Sequence, residues 1–182
     1  MTITASQVSE LRKKTDCGMM DCKKALVEAA GDLEKAIELL RKKGIAKAAK
    51  RSGNIAAEGM VVISSDAHHQ SSVMLEINSE TDFVARDENF RTFAENVSAI
   101  AREQKINTLE ALEKASKAGK TIEAMRQALS AKLGENIQVR RLADMETAGI
   151  IGSYVHGGGR IGVLVALNKK DLALAKDIAM HI

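Results

Sequence analysis

The segment HGGGRIG, His156 to Gly162, sets Gly157, Gly159 and Gly162 at the spacing of a dinucleotide-binding fingerprint. That chemistry needs the glycines between a strand and a helix, so that a pyrophosphate can rest on the helix N-terminus. The residues that follow, VLVAL, are strand-like instead. The glycines therefore read as a hairpin turn with positive backbone angles. His156 at its tip is either a solvated turn residue or a binding contact. Cys17 and Cys22 lack C-x-x-C spacing and have no nearby His, which argues against zinc. His68 and His69 share a turn with no further ligand in view. The P-loop, nucleophile-elbow and H-E-x-x-H patterns are absent. The sequence thus nominates no catalytic residue, no metal ligand and no cofactor, and is not expected to encode an enzyme.

A different chemistry is suggested by NSETDFVARDENF, Asn78 to Phe90. Phe83 stands there among Glu80, Asp82, Arg86, Asp87 and Glu88. The chain has three Phe, one Tyr and no Trp, so a spare aromatic in a charged loop calls for a reason. Ser79 as N-cap with Asp82 three residues on predicts a helical turn. Phe83 either folds back on that turn as a staple or projects as a binding anchor. Met19 and Met20 open a predicted helix. Adjacent residues do not share a helix face. Either one Met enters the core and the other meets a partner, for which Met is well suited, or both are buried.

These residues must be positioned by the elements around them. The first 44 residues read as three short helices. Thr4 to Gln7 is a capping-box pattern, and Val8 and Leu11 share one face. Gly18 precedes the second helix, which Gly31 closes. Asp32 caps the third, where Leu33, Ala36, Ile37 and Leu40 keep helical spacing and Gly44 is the expected end. The Ala-rich basic stretch to residue 58 reads as a linker that starts helical and ends flexible. Beyond Gly59, MVVIS and SVMLEIN predict a hairpin. Helices are expected at about 89–103, 107–118 and 121–133, with a capping box at Asn107 to Glu110. ENIQVRRL is a further strand, GIIGSYV and RIGVLVAL form a second hairpin, and a last helix starts near Asp171.

The two hairpins match at an offset of 90, with Gly59 on Gly149 and Asn78 on Asn168. The helices that follow, FAENV and LAKDI, match at an offset of 81, so the first copy carries nine extra residues between its second strand and its helix. Those residues lie in the Phe83 segment. The second copy makes the same passage without them, which favours the binding-anchor reading of Phe83. The expected fold class is α+β: a three-helix bundle over residues 1–45, a basic linker over 46–58, a first α/β subdomain over 59–142 carrying the insertion, and the start of a second over 143–182.

Composition sets the outer limits. The 182 residues are 45% hydrophobic and 28% charged, ordinary for a globular protein. No apolar run approaches the length of about 18 residues needed to cross a membrane. The N-terminus lacks a signal-peptide core, and two Cys are too few for a disulfide framework, so a cytoplasmic protein is expected. The net charge of +3 is uneven: residues 1–51 hold 12 Lys/Arg against 7 Asp/Glu, and the rest 15 against 17. The run RKKGIAKAAKR has six Lys/Arg in 11 residues. It could meet phosphates in an RNA-binding protein. Without interleaved aromatics it reads better as a solvated linker.

Together LRKKTDCGMMDCKKALVEAAGDLEKAIELLRKKG, ETDFVARDENF, LGENIQVRR and SYVHGGGRIGVLVAL resemble the elongation factor Ts family, in order along the chain. Asp16 and Cys17 depart from the family's usual TGAGMMDCKKAL. The resemblance implies a ubiquitin-associated-like N-terminal bundle and a core of two related subdomains. It also implies a fragment or shortened form, because family members typically continue past this point. The implied activity is guanine-nucleotide exchange on elongation factor Tu, with no membrane and no direct nucleic-acid partner. The implied roles are disturbance of the partner's magnesium site by Thr81, Asp82, Phe83 and Val84. Arg12, Met19, Met20, Lys24 and His156 are the implied contacts to its GTPase domain.

Overall fold

The computed structural model describes residues 3–15 and 17–182; Asp16, within the expected loop before the second helix, lies outside the described residues. Three helices come first: α1 (Ala5–Thr15), α2 (Met19–Glu28) and α3 (Leu33–Arg51). The Thr4 to Gln7 box forms as the pattern predicts. Gln7 N donates to Thr4 Oγ1 at 3.3 Å and Thr4 N to Gln7 Oε1 at 2.9 Å. Asp32 caps α3, its Oδ1 accepting from Lys35 N at 3.1 Å. The bundle buries Val8, Leu11, Cys22, Ala25, Leu26, Ala36 and Leu40.

Helix α3 does not end at Gly44 but runs on to Arg51. Gly44 serves packing instead. A Cβ added there would come within 2.9 Å of Ala131 Cβ. Missing that atom, α3 lies close against α7 (Ile122–Leu133). Much of the expected linker is therefore helix, and the remaining residues 52–57 are held rather than loose. Asn136 Nδ2, in a fully buried side chain, donates to Ser52 O at 3.3 Å and Asn54 O at 2.8 Å.

The core is an antiparallel sheet in the order β1 (Glu58–Ser65), β2 (Ser71–Ser79), β5 (Gln138–Glu146). Its inner face packs on α5 (Glu88–Glu103) through Val62, Leu75, Ile77, Phe90, Phe93, Ala94 and Val97. Buried positions on α5 recur at three and four residues, a broad apolar face of the kind that anchors a helix on a sheet. The helix expected over 107–118 is shorter. It is α6 (Leu109–Lys114), capped by Thr108 rather than Asn107, with Ala111 N donating to Thr108 Oγ1. A two-stranded turn, β3 (Ser116–Lys117) and β4 (Lys120–Thr121), takes up the rest, with Ala118 and Gly119 both at positive φ.

The second hairpin, β6 (Ile150–His156) and β7 (Ile161–Leu167), repeats the first. Met60 faces Ile77 as Ile150 faces Leu167, and Ser65 faces Ser72 as Val155 faces Gly162. The two glycines that open the repeats do the same work. A Cβ on Gly59 would strike the Ile77 carbonyl, and one on Gly149 the Leu167 carbonyl. Each permits its strand to close on the partner where a side chain has no room. Helix α8 (Leu172–His181), capped by Asp171, covers β6, with Ala175 tight against Gly152. Among the described residues no helix is long and apolar enough to cross a membrane.

Candidate docking surface

The nine extra residues include a four-residue helix, α4 (Asp82–Ala85), set at the end of β2. Its cap is Thr81, not Ser79. Strand β2 continues through Ser79, whose side chain is buried and donates to Thr81 O at 2.9 Å, so the helix can only begin beyond it. Val84 turns inward and is buried in the main core. Phe83, on the opposite side, is 82% exposed. The staple reading is thereby excluded: the ring covers nothing of its own helix. Among the described residues the Asp82 carboxylate is engaged only by Arg86, at 2.9 Å on the surface.

A four-residue helix cannot hold itself together. Two carboxylates hold this one. Glu135, in the turn after α7, takes both bonds that Thr81 offers: N to Oε2 at 3.0 Å and Oγ1 to Oε1 at 2.6 Å. Glu80 accepts from Asn136 N at 2.6 Å, from Asn54 Nδ2 at 3.0 Å and from Arg51 Nη1 at 3.3 Å. The Asn136 amide, then the Asn54 and Arg51 side chains, hold the Glu80 carboxyl below its ordinary range against the opposing effect of burial. Sequence reasoning gave no role to Glu80, Asn54, Glu135 or Asn136. The last two stand 54 or more residues from their partners, and no local pattern announces such a pairing.

The other candidates lie on neighbouring elements. Met19 and Met20 are the first residues of α2 and are both outside, 51% and 63% exposed. Neither the split reading nor burial of both holds. The core face of α2 begins one turn later, at Cys22, Ala25 and Leu26. Arg12 and Lys24 are exposed on α1 and α2. His156 ends β6, exposed, with Tyr154 Oη 3.0 Å from its Nδ1 and the two rings stacked. Gly157, Gly158 and Gly159 all have positive φ and lead into β7, as a hairpin turn requires and a dinucleotide cradle does not.

The fold gathers these elements at one end of the sheet. Glu58 starts β1 opposite Ser79, the last residue before the insertion. Arg160, in the glycine turn beside His156, pairs with Glu58 at 3.0 Å, and Gly159 O accepts from Val61 N at 2.6 Å. Arg51, at the end of α3, reaches Glu80. The first turn of α2, through Gly18 and Asp21, shares a cleft with Arg51 and the end of α7. An exposed aromatic and an exposed His thus project from one end of the sheet, and two exposed Met from the first turn of α2 beside the cleft. Such an arrangement suits contact with a large partner. Among the described residues no group of His, Cys, Asp and Glu is placed to hold a metal ion.

Residues 80–182 match the family model described as Elongation factor TS. The chain is 55% identical over 176 residues to "Elongation factor Ts" of Alcanivorax borkumensis, covering 96% of this chain and 61% of the relative. It is 53% identical over 182 residues to that of Legionella pneumophila strain Lens, covering all of this chain and 62% of the relative. The match to that of Arthrospira platensis is 51% over 183 residues, covering 99% of this chain and 73% of the relative. The chain therefore spans about three fifths of the length of the first two relatives. The matches run through the bundle, the insertion and both hairpins, and the chain belongs to the elongation factor Ts family.

Proposed function

We propose that the chain acts as a guanine-nucleotide exchange factor: it binds elongation factor Tu in the GDP form and promotes GDP release. The observation that carries this reading is Phe83, a large apolar side chain held in solvent on a helix that the carboxylates of Glu80 and Glu135 keep in place. Magnesium and the phosphate-binding groups of a GTPase hold its nucleotide. In this reading Phe83 enters the GTPase domain as a wedge, and the Asp82–Arg86 pair opens as Asp82 turns to the partner. An exposed pair of this kind is worth little, so its loss costs little. The wedge favours a conformation with a disturbed magnesium site. By linkage, rebinding of nucleotide weakens the factor in return, and the cycle turns over.

Met19, Met20, Arg12 and Lys24 supply docking from the bundle, residues 1–45 in this division. Residues 46–58 join it to the first core subdomain, 59–142, and His156 adds a contact from the second, 143–182. An RNA-binding role for the basic quarter has less support. Of the six charges in residues 41–51, Lys42, Lys43, Lys47 and Arg51 are paired with Glu38, Glu28, Asp21 and Glu80. The test is direct: load elongation factor Tu with fluorescent GDP, add the chain, and time the release. Acceleration that rises with the chain's concentration is expected. Release at the spontaneous rate at every concentration would overturn the proposal.

A further inference from the structure

Two thiols stand at the start of α2 with no part in the reading above. Both Cys17 and Cys22 are free. Gly18 is the N-cap of α2, so Cys17 precedes the cap and Cys22 is the fourth residue of the helix. Side chains at those two positions fold onto one another in the hydrophobic staple. Cys22 Sγ donates to Cys17 O at 3.6 Å, and Cys17 Sγ to Thr15 O at 3.6 Å. Cys22 is fully buried in the bundle core, and Cys17 packs half-exposed against it. One turn thus carries a half-exposed thiol and a buried one in the same cluster.

Cys17 also lines a half-open cleft of about 510 Å³ between the bundle and α7. Lys47, Lys50, Arg51, Lys132 and Asp21 line it too, with Lys47 paired to Asp21 and Arg51 to Glu80. Its size is that of a small-molecule site. A cation at its wall, as Lys50 is, raises the local concentration of anions.

We propose that Cys17 and Cys22 form an oxidisable pair, and that the cleft admits a small disulfide bearing carboxylates, for which glutathione disulfide is the probe. The Cys17 thiolate attacks one sulfur of the reagent. The reagent's S–S bond breaks, one glutathione leaves as thiolate, and Cys17 carries the other as a mixed disulfide. The Cys22 thiol then gives its proton to a departing glutathione, and its sulfur displaces the second glutathione from Cys17. Two protein thiols become one disulfide while one glutathione disulfide becomes two thiols. Burial raises the Cys22 pKa, ahead of the opposing hydrogen bond from Thr15, which suits the later step.

The closed ring contains Met19 and Met20. A disulfide draws its two Cα atoms to about 5.5–6 Å, so the first turn of α2 must re-form and the two Met side chains move. This last consequence rests on the exchange-factor reading; the thiol chemistry does not. The experiment incubates the full chain with excess glutathione disulfide and follows intact mass and thiol content. The native chain is expected to lose both thiols without accumulating adduct. Cys22→Ala, checked for its fold by circular dichroism, should accumulate one glutathione, and Cys17→Ser should keep its thiol. Lys50→Glu should slow the reaction by roughly threefold or more at low salt, and leave reaction with uncharged hydroxyethyl disulfide unchanged. Retention of both thiols by the native chain, or equal reactivity of the two single-Cys variants, overturns the pair. A rate indifferent to Lys50→Glu overturns the cleft's part. Unaltered stimulation of GDP release by the oxidised chain overturns the link to docking while the mass result stands.

Discussion

Phe83 and Gly44 break local rules in opposite ways, and each exception marks a contact that the chain's neighbourhood conceals. Phe83→Ala should change stability by no more than roughly 0.5–1 kcal/mol, because the ring buries nothing within the chain. A buried Phe would cost ~3–5 kcal/mol. An interface anchor typically carries about 2 kcal/mol or more, so stimulated GDP release should fall by roughly tenfold or more. Urea unfolding and nucleotide release on the same preparation decide between the two roles. Gly44 gives the other sign. In an open helix Gly→Ala stabilises by about 1 kcal/mol. Here the new methyl meets Ala131, on a neighbouring helix with nowhere to fold away, and overpacking of that kind costs about 1–3 kcal/mol. Gly44→Ala is expected to lower the thermal midpoint, and a raised midpoint would show that α3 and α7 are not pressed together as described. Phe83 was visible as an anomaly in the sequence, whereas Gly44 read as an ordinary helix end. Phe83 could be read as dispensable to the fold because the second copy lacks its segment. The packing role of Gly44 could not be read, since a glycine that ends a helix and one that admits a neighbour look alike until the neighbour is known.

Helix α4 is the element whose existence owes most to distant residues. Glu135→Ala removes the acceptors of the Thr81 N–H and hydroxyl and leaves Phe83 untouched. Stimulated release should fall severalfold, with a loss of about 1–3 kcal/mol of support to α4. Amide exchange of Val84 and Ala85 should quicken in step, and a variant with normal protection there and slow release would assign Glu135 a direct contact instead. Glu80 ties the same element to pH. Its folded-state pKa is depressed, so its contribution is complete above the ordinary carboxylate range and disappears as pH falls through the lowered value. Acid unfolding should therefore begin below about pH 4.5, and Glu80→Gln should be less stable at neutral pH yet show a shallower acid transition. The legible parts of the fold were those set by neighbours in sequence. These were the α2 and α3 starts, both hairpins and the amphipathic α5. Where bonds span tens of residues, as at Glu80 and Glu135, the sequence offered only charged residues near a turn. The N-cap was misplaced onto Ser79 for the same reason: the strand's true length depends on β1 and β5 beside it.

At the scale of the whole molecule, the bundle and core are joined through residues 52–57, so where a truncation falls matters. A fragment beginning at Ser52 keeps the carbonyls that satisfy the buried Asn136 amide; one beginning at Ile55 leaves it without them. An unpaired buried polar group costs about 1–3 kcal/mol. The longer fragment should show the higher urea midpoint by that margin. In both, loss of the bundle should raise the concentration needed for half-maximal GDP release more than it lowers the maximal rate. Slow release at saturating fragment would place the bundle in the exchange step itself. The two hairpins were legible as copies because register and closing glycines recur along the chain, whereas their gathering at one rim depends on Arg160, Glu58 and Gly159, which no repeat predicts. The bracing at Glu80 and Glu135 has a mechanical side. A load applied to the ring of Phe83 acts on a lever only one helical turn long. Its fulcrum is fixed by Val84 in the core, and its base is moored to the end of β2, the α7 turn and the last residues of α3. If the chain docks as proposed, these moorings leave most of the deformation to the GTPase.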